Sequence, residues 1–120
     1  MTTGALRPLG LTLGDPAGIG PEICARMLAQ NDLPEVPLVL GDPAVLEQAA
    51  DRLGLALKLH RVASASEPVP SRHIPVLSAG PDAASVALGT VSCRAGEAAF
   101  EAVKAGIELS MNGALAGIVT

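Results

Sequence analysis

The sequence predicts an α/β fold, a mostly parallel sheet with helices on its faces, and three observations carry that expectation. Short apolar runs alternate with longer amphipathic ones, as strands covered on both faces alternate with crossover helices. Proline and glycine stand where helices start and stop, at Pro21, Pro43, Gly54 and Gly113. Hydrophobic residues make up 49% of the 120 residues, yet Phe100 is the only aromatic, so the core must be built from Leu, Val, Ile and Ala. A chain of this length buries roughly two-thirds of its unfolded surface, enough for one core.

The first strand is expected over Leu9 to Leu13, where leucines alternate with Gly10 and Thr12 until Gly14 breaks the run. The next residues, Gly14-Asp15-Pro16-Ala17-Gly18-Ile19-Gly20-Pro21-Glu22, read as a glycine-rich turn running into a helix. Pro21 suits the first helical position, where its missing N–H costs nothing, and Glu22 favours the positive end of the helix dipole. Ile23, Met27 and Leu28 predict the buried stripe of this helix, which should end between Gln30 and Asp32, ahead of Pro34.

The second strand is expected from Val36 to Leu40. Asp42 then caps a helix with Pro43 at its first position and Val45, Leu46, Ala49, Ala50 and Leu53 on its apolar face, up to Gly54. A third strand is expected over Ala56 to Val62, followed by a Ser- and Pro-rich surface loop from Ala63 to His73. Ile74 to Leu77 reads as a short strand, placed at a sheet edge by Pro75. The last helix should run from Ser92 to Ser110, with Ala99, Phe100, Val103 and Ile107 along one side and Asn112-Gly113 ending it. A final strand follows over Ala116 to Thr120, and no internal repeat interrupts this order.

The turn after the first strand is the candidate site. Gly18 and Gly20 are read as allowing backbone conformations closed to other residues, so that main-chain N–H groups approach a ligand with no Cβ in the way. A helix start of this kind binds anions readily. The spacing Gly-x-x-x-Gly-x-Gly is neither the Rossmann nor the Walker A pattern, and by itself it fits a plain strand-to-helix connector as well as a ligand loop. Asp15, ahead of Pro16, either braces the loop or bonds a ligand hydroxyl. Thr120 either points its hydroxyl into a cleft or simply suits a strand.

Other polar residues carry plainer readings. Cys24 and Cys93 form no Cys-x-x-Cys and read as reduced structural residues. His60, on the face of Lys58, and His73 are expected at the surface, and two histidines supply fewer ligands than a zinc site needs. Glu101 and Lys104 read as a solvated pair. No catalytic residue and no metal ligand is assigned within the chain. A net charge of −4 with dispersed Arg and Lys argues against nucleic acid. No apolar run approaches the ~20 residues of a membrane span and the N-terminus lacks a secretion pattern, so a cytoplasmic protein is expected.

The string Gly14 to Glu22 resembles the N-terminal signature of the 4-hydroxythreonine-4-phosphate dehydrogenase family, PdxA. It is similar, more loosely, to the Gly-Asp-Gly-Ile-Gly-Pro-Glu string of isopropylmalate and isocitrate dehydrogenases. Pro37-Leu38-Val39-Leu40-Gly41-Asp42 resembles that family's second strand and turn. Gly89-Thr90-Val91-Ser92 with Ala95-Gly96 resembles the start of its long helix, and Gly117-Ile118-Val119-Thr120 its next strand.

The resemblance implies an isocitrate/isopropylmalate dehydrogenase-like fold, with residues 1–120 forming a partial domain of a larger two-domain subunit that works as a homodimer. It implies an NAD-dependent dehydrogenase oxidising 4-phosphooxy-L-threonine in pyridoxal 5′-phosphate biosynthesis. A divalent metal would polarise the alcohol, its histidine ligands lying outside this chain. Gly14, Asp15, Gly18 and Gly20 would then meet the cofactor, and Thr120 the substrate. Ligands of open α/β sheets bind beyond the carboxyl ends of strands, so a strand with nothing after Thr120 predicts a truncated chain, inactive alone. Two alternatives stand beside this reading. One is a PdxA-like dehydrogenase of another phosphorylated hydroxy acid or of a dihydrodiol. The other is a non-catalytic α/β module that holds a phosphorylated metabolite, or another polypeptide, unaided at the same helix end.

Overall fold

The computed structural model describes residues 7–30 and 32–120. Its elements are β1 (Leu9–Thr12), α1 (Gly20–Ala29), β2 (Leu38–Leu40), α2 (Pro43–Leu53), β3 (Leu59–Val62), β4 (Ile74–Leu77), α3 (Cys93–Met111) and β5 (Gly117–Val119). The strands form one sheet in the order β3-β4-β2-β1-β5, and every pairing is parallel.

Alternation along each strand divides the core in two. Leu11, Val39 and Val76 turn to the face covered by α1 and α2, where they join Cys24, Ala25, Leu28, Leu46 and Ala49. Leu38 and Leu40 turn to the other face and join Ala102 of α3 with Leu115. β1 and β2 are therefore covered on both sides, which accounts for their nearly unbroken apolar runs.

Local signals set the second and third helices as expected. Asp42 Oδ1 accepts from the Ala44 N–H, Pro43 follows, and Gly54 closes α2 in the left-handed conformation at φ 68°. Ser92 caps α3 by accepting from the Ala95 N–H. Asp42 does more than cap, because its Oδ2 accepts from the Ala83 N–H at 2.8 Å, tying the loop after β4 to the start of α2. Asp42→Ala is expected to lower stability by about 2 kcal/mol, since two partly buried donors lose one acceptor. Urea denaturation followed by circular dichroism measures it, and a loss no greater than that of an exposed substitution would contradict this double role.

Three expectations need correction. β4 lies inside the sheet, between β3 and β2, and not at an edge. Pro75 is tolerated there because Ile74 donates to Lys58 O on the β3 side, so the next nitrogen along, that of Pro75, faces β2. The β2–β4 ladder starts only at Val39↔Val76, one residue later, and loses no bond.

The buried stripes of two helices also differ from those expected. α1 buries Pro21, Cys24, Ala25 and Leu28, leaving Ile23 56% exposed, and α3 buries Ala95, Ala98, Ala102 and Gly106, leaving Phe100 65% exposed. In α3 the sheet takes the smaller side chains because they let the helix backbone approach closely, whereas α1 packs chiefly against α2 and still buries Leu28. A Cβ on Gly106 would stand 2.7 Å from Ile118 Cγ2. β2 and β3 begin later than expected, at Leu38 and Leu59, and α1 ends at Ala29; Asn31, within the expected helix end, lies outside the described residues.

Candidate functional site

The chain leaves β1 toward β2 on one side and returns to β5 on the other, so the strand order reverses between β1 and β5. In an open parallel sheet the crevice beyond the carboxyl ends of such a pair is where ligands bind. The Gly14–Gly20 loop follows β1 and Thr120 follows β5, which places both groups of candidate residues at this point.

Each loop residue has a definable task. Gly14 turns the chain at φ 74°, a conformation that L side chains rarely adopt. Asp15 braces the loop, its Oδ1 accepting from the Ala17 N–H at 2.8 Å while its carbonyl accepts from the Gly18 N–H at 2.9 Å. The brace is thus present in the fold, and Oδ2 is left for a further partner. Gly18 and Gly20 do not adopt positive φ, contrary to the reading of unusual conformations there. Gly20 is needed for space, since a Cβ would overlap the Leu13 carbonyl oxygen at the end of β1. At Gly18 a Cβ would meet only ordinary contacts, 3.5 Å or more away.

The loop is open to solvent. Ile19 is 71% exposed, with Gly18 and Gly20 partly exposed beside it. Ile19 occupies the N-cap of α1 and makes no side-chain cap, whereas Asp42 and Ser92 cap the other two helices. The first turn of α1 thus presents N–H groups that no cap side chain accepts, at the positive end of the helix dipole. Gly89 donates to Ala17 O at 2.7 Å, so the loop before α3 packs against the glycine loop.

Thr12 is a residue that sequence reasoning missed. It is buried, and its hydroxyl donates to Thr120 Oγ at 2.8 Å, joining the ends of β1 and β5 across 108 residues. The available signal was a hydroxyl in an otherwise apolar strand, which asks for a partner.

Cys24 lies directly beneath, its thiol 3.7 Å from Thr12 O. Burial pushes this thiol up to about 11, against a smaller opposing effect of a hydrogen bond from the backbone N–H of Cys24 itself. The folded chain then keeps a proton that the unfolded chain releases from its ordinary value of 9.0, so this group's stabilisation is complete below pH 9 and is lost as pH rises to about 11. Iodoacetamide at pH 8 should modify the exposed Cys93 quickly and Cys24 only on unfolding, as mass spectrometry would record. Equal rates would contradict the burial of Cys24.

The histidines lie elsewhere. His60, on β3 at the opposite edge of the sheet, has its Nε2 3.5 Å from Glu67 Oε2 and its ring edge-on to His73. Among the described residues, no three His, Cys, Asp or Glu side chains stand together in a way that would hold a metal ion. These residues do not fit a metal centre, and no chemical step is assigned to one here. The loop is suited instead to an anionic group, such as the phosphates of a dinucleotide or of a substrate.

Comparison with known proteins agrees with this fold. Residues 34–120 match the family model described as "Pyridoxal phosphate biosynthetic protein PdxA". A 4-hydroxythreonine-4-phosphate dehydrogenase of Beijerinckia indica is 40% identical over 114 residues, covering 94% of this chain and 34% of the relative. A D-threonate 4-phosphate dehydrogenase of Bordetella bronchiseptica is 38% identical over 124 residues, covering 99% and 35%. The crystal structure of a 4-hydroxythreonine-4-phosphate dehydrogenase from Burkholderia phymatum superposes with a TM-score of 0.84 at 32% identity, over 93% of this chain and 35% of that one. The chain spans about a third of the length of the relatives it matches. With the family model matched over most of its length and its sheet shared with a solved member, the chain belongs to the PdxA family.

Proposed function

We propose that this chain supplies the anion-binding loop of an NAD- and metal-dependent dehydrogenase that oxidises 4-phosphooxy-L-threonine in pyridoxal 5′-phosphate biosynthesis. It would do so as part of one domain of a larger, two-domain subunit in a cytoplasmic homodimer. One observation supports the reading above all others: α1 begins without a side-chain cap beyond the carboxyl ends of β1 and β5, where the strand order reverses. Bound NAD would supply the hydride acceptor. The chain's own part is positional. Gly14 turns the loop, Asp15 holds its shape, Gly18 leaves it open, Gly20 seats it against β1, and Thr120 offers a hydroxyl to the substrate.

A chimera tests this directly, with this chain replacing the matching segment of the Beijerinckia indica relative. It should reduce NAD in the presence of 4-phosphooxy-L-threonine and a divalent metal, read as absorbance of NADH. A folded chimera that binds neither NAD nor substrate would overturn the proposal. The Bordetella bronchiseptica relative favours a second reading, a phosphorylated sugar acid as substrate. The same assay with D-threonate 4-phosphate separates the two by the ratio of kcat/KM.

A further inference from the structure

A second concave site lies at the other end of the sheet. Lys58 immediately precedes β3 and Arg72 stands two residues before β4, so in this parallel sheet both sit at the amino ends of strands, away from the crevice at the carboxyl ends. Ile74 N–H donates to Lys58 O at 2.7 Å and holds the two strand starts side by side. Here a cavity of about 320 Å³ opens between the end of α1 and these strands, with Lys58 and Arg72 on its wall beside Leu28, Leu33, Leu57 and Ile74. A volume of that size suits a small molecule.

Two observations set this cavity apart from an ordinary surface depression. The first is that both cations are uncompensated. The ion pairs among the described residues are Arg52–Glu22 and His60–Glu67, and Lys58 and Arg72 take part in neither, although the chain carries a net charge of −4. Asp32 and Glu35, which flank the loop that supplies Leu33, pair with neither cation. The second is that Arg72 is held in a costly conformation. His73 N–H donates to Pro70 O, which makes Pro70 to His73 a turn, and Arg72 occupies its third position at φ 65°. Turns with a positive φ there ordinarily take glycine or asparagine, and Arg72 is the one described residue other than glycine with a positive φ. The fold thus places a long cation where local energetics favour glycine, and the side chain so placed lines the cavity.

We propose that this cavity binds a small organic anion with an aliphatic body, a carboxylate or a phosphate monoester, at a site separate from the glycine loop. The body lies against Leu28, Leu33, Leu57 and Ile74, which takes apolar surface on both partners out of water. The head sits between the Lys58 ammonium, a compact point charge, and the Arg72 guanidinium, whose planar fork donates two parallel hydrogen bonds to two oxygens of one head. The aliphatic stems of both cations extend the apolar wall while their charged ends stay in contact with water. An amine of the same shape meets the same wall but is repelled at the head, so charge selects the ligand. Nothing in this site depends on the dehydrogenase reading.

Hexanoate and hexyl phosphate are the probes, hexylamine and inorganic phosphate the controls for charge and for the aliphatic body, and methyl NMR spectra of the 120-residue chain report where each binds. At least one hexyl anion should shift the Leu33, Leu57 and Ile74 methyl signals saturably, and the tighter of the two identifies the head. Hexylamine should leave those signals in place, and inorganic phosphate should bind at least about tenfold more weakly, having no body to bury. Arg72→Gly should weaken binding at least about tenfold without lowering the melting midpoint, because it removes the cation and relieves the turn. Lys58→Gln should weaken binding in the same direction with the fold intact by circular dichroism. Silence of these methyl signals with both hexyl anions, shifts centred on the Gly14–Gly20 loop instead, or binding indifferent to both variants would each overturn the proposal. A clear fall in the melting midpoint of Arg72→Gly would overturn it too, by giving Arg72 a structural reason for its place.

Discussion

Gly20→Ala is expected to lower the stability of the fold by about 3 kcal/mol and its melting midpoint by roughly 10 °C. The added methyl would overlap the carbonyl oxygen of Leu13, with the Leu13 carbonyl carbon 3.4 Å away. Both atoms belong to the backbone of a strand end held in the sheet, where Leu13 N donates to Leu40 O at 3.2 Å. No side-chain rotation relieves that contact, so α1 must move away from β1 or the loop must rearrange. Gly18→Ala is the matched control, because the same methyl there meets ordinary contacts and should change stability little. Thermal melts of the two variants side by side provide the measurement. Equal losses at the two glycines would mean that α1 does not start as close to β1 as described.

Leu40→Ala should lower stability further, by about 4 kcal/mol. Leu40 is fully buried, and its Cδ1 lies 3.2 Å from where a Cβ would stand on Gly10 and equally far from the corresponding point on Gly106. Its side chain fills the space that these two glycines leave between β1 and α3. Truncation would open a cavity between the backbone of the two glycines and the side chains of Leu115 and Ile118, and domains of this size have only about 5–15 kcal/mol in total. Urea denaturation should show a lower midpoint at an unchanged slope. Leu88→Ala, at a residue 51% exposed, should shift the midpoint far less.

What the sequence disclosed was what local chemistry decides. Asp42-Pro43 and Gly54 bound α2 because a cap, a proline and a left-handed glycine act within one turn. The glycine loop was legible for the same reason, since strand, turn and helix start are contiguous. The place of β4 was not, because the order of a parallel sheet is set by crossovers that no local residue encodes, and Pro75 suggested an edge that its orientation does not require. The faces of α1 and α3 misled in a specific way. Phe100 and Ile107 look like core, but close packing of α3 on the sheet selected alanine and glycine and turned them outward, while in α1 Ile23 faces outward and Leu28 stays buried. At the site, the partnership of Thr12 with Thr120 joins two ends of the sequence, so only the fold could reveal it.

That pair of hydroxyls has a polarity. Thr12 gives its single hydrogen to the oxygen of Thr120, which leaves the hydrogen of Thr120 free to turn outward from the strand ends. Being an acceptor already, Thr120 becomes a slightly stronger donor, as hydroxyls in a chain do. The lip of the sheet therefore ends in an unclaimed proton, of the kind that carboxylates, phosphoryl oxygens and carbonyls accept.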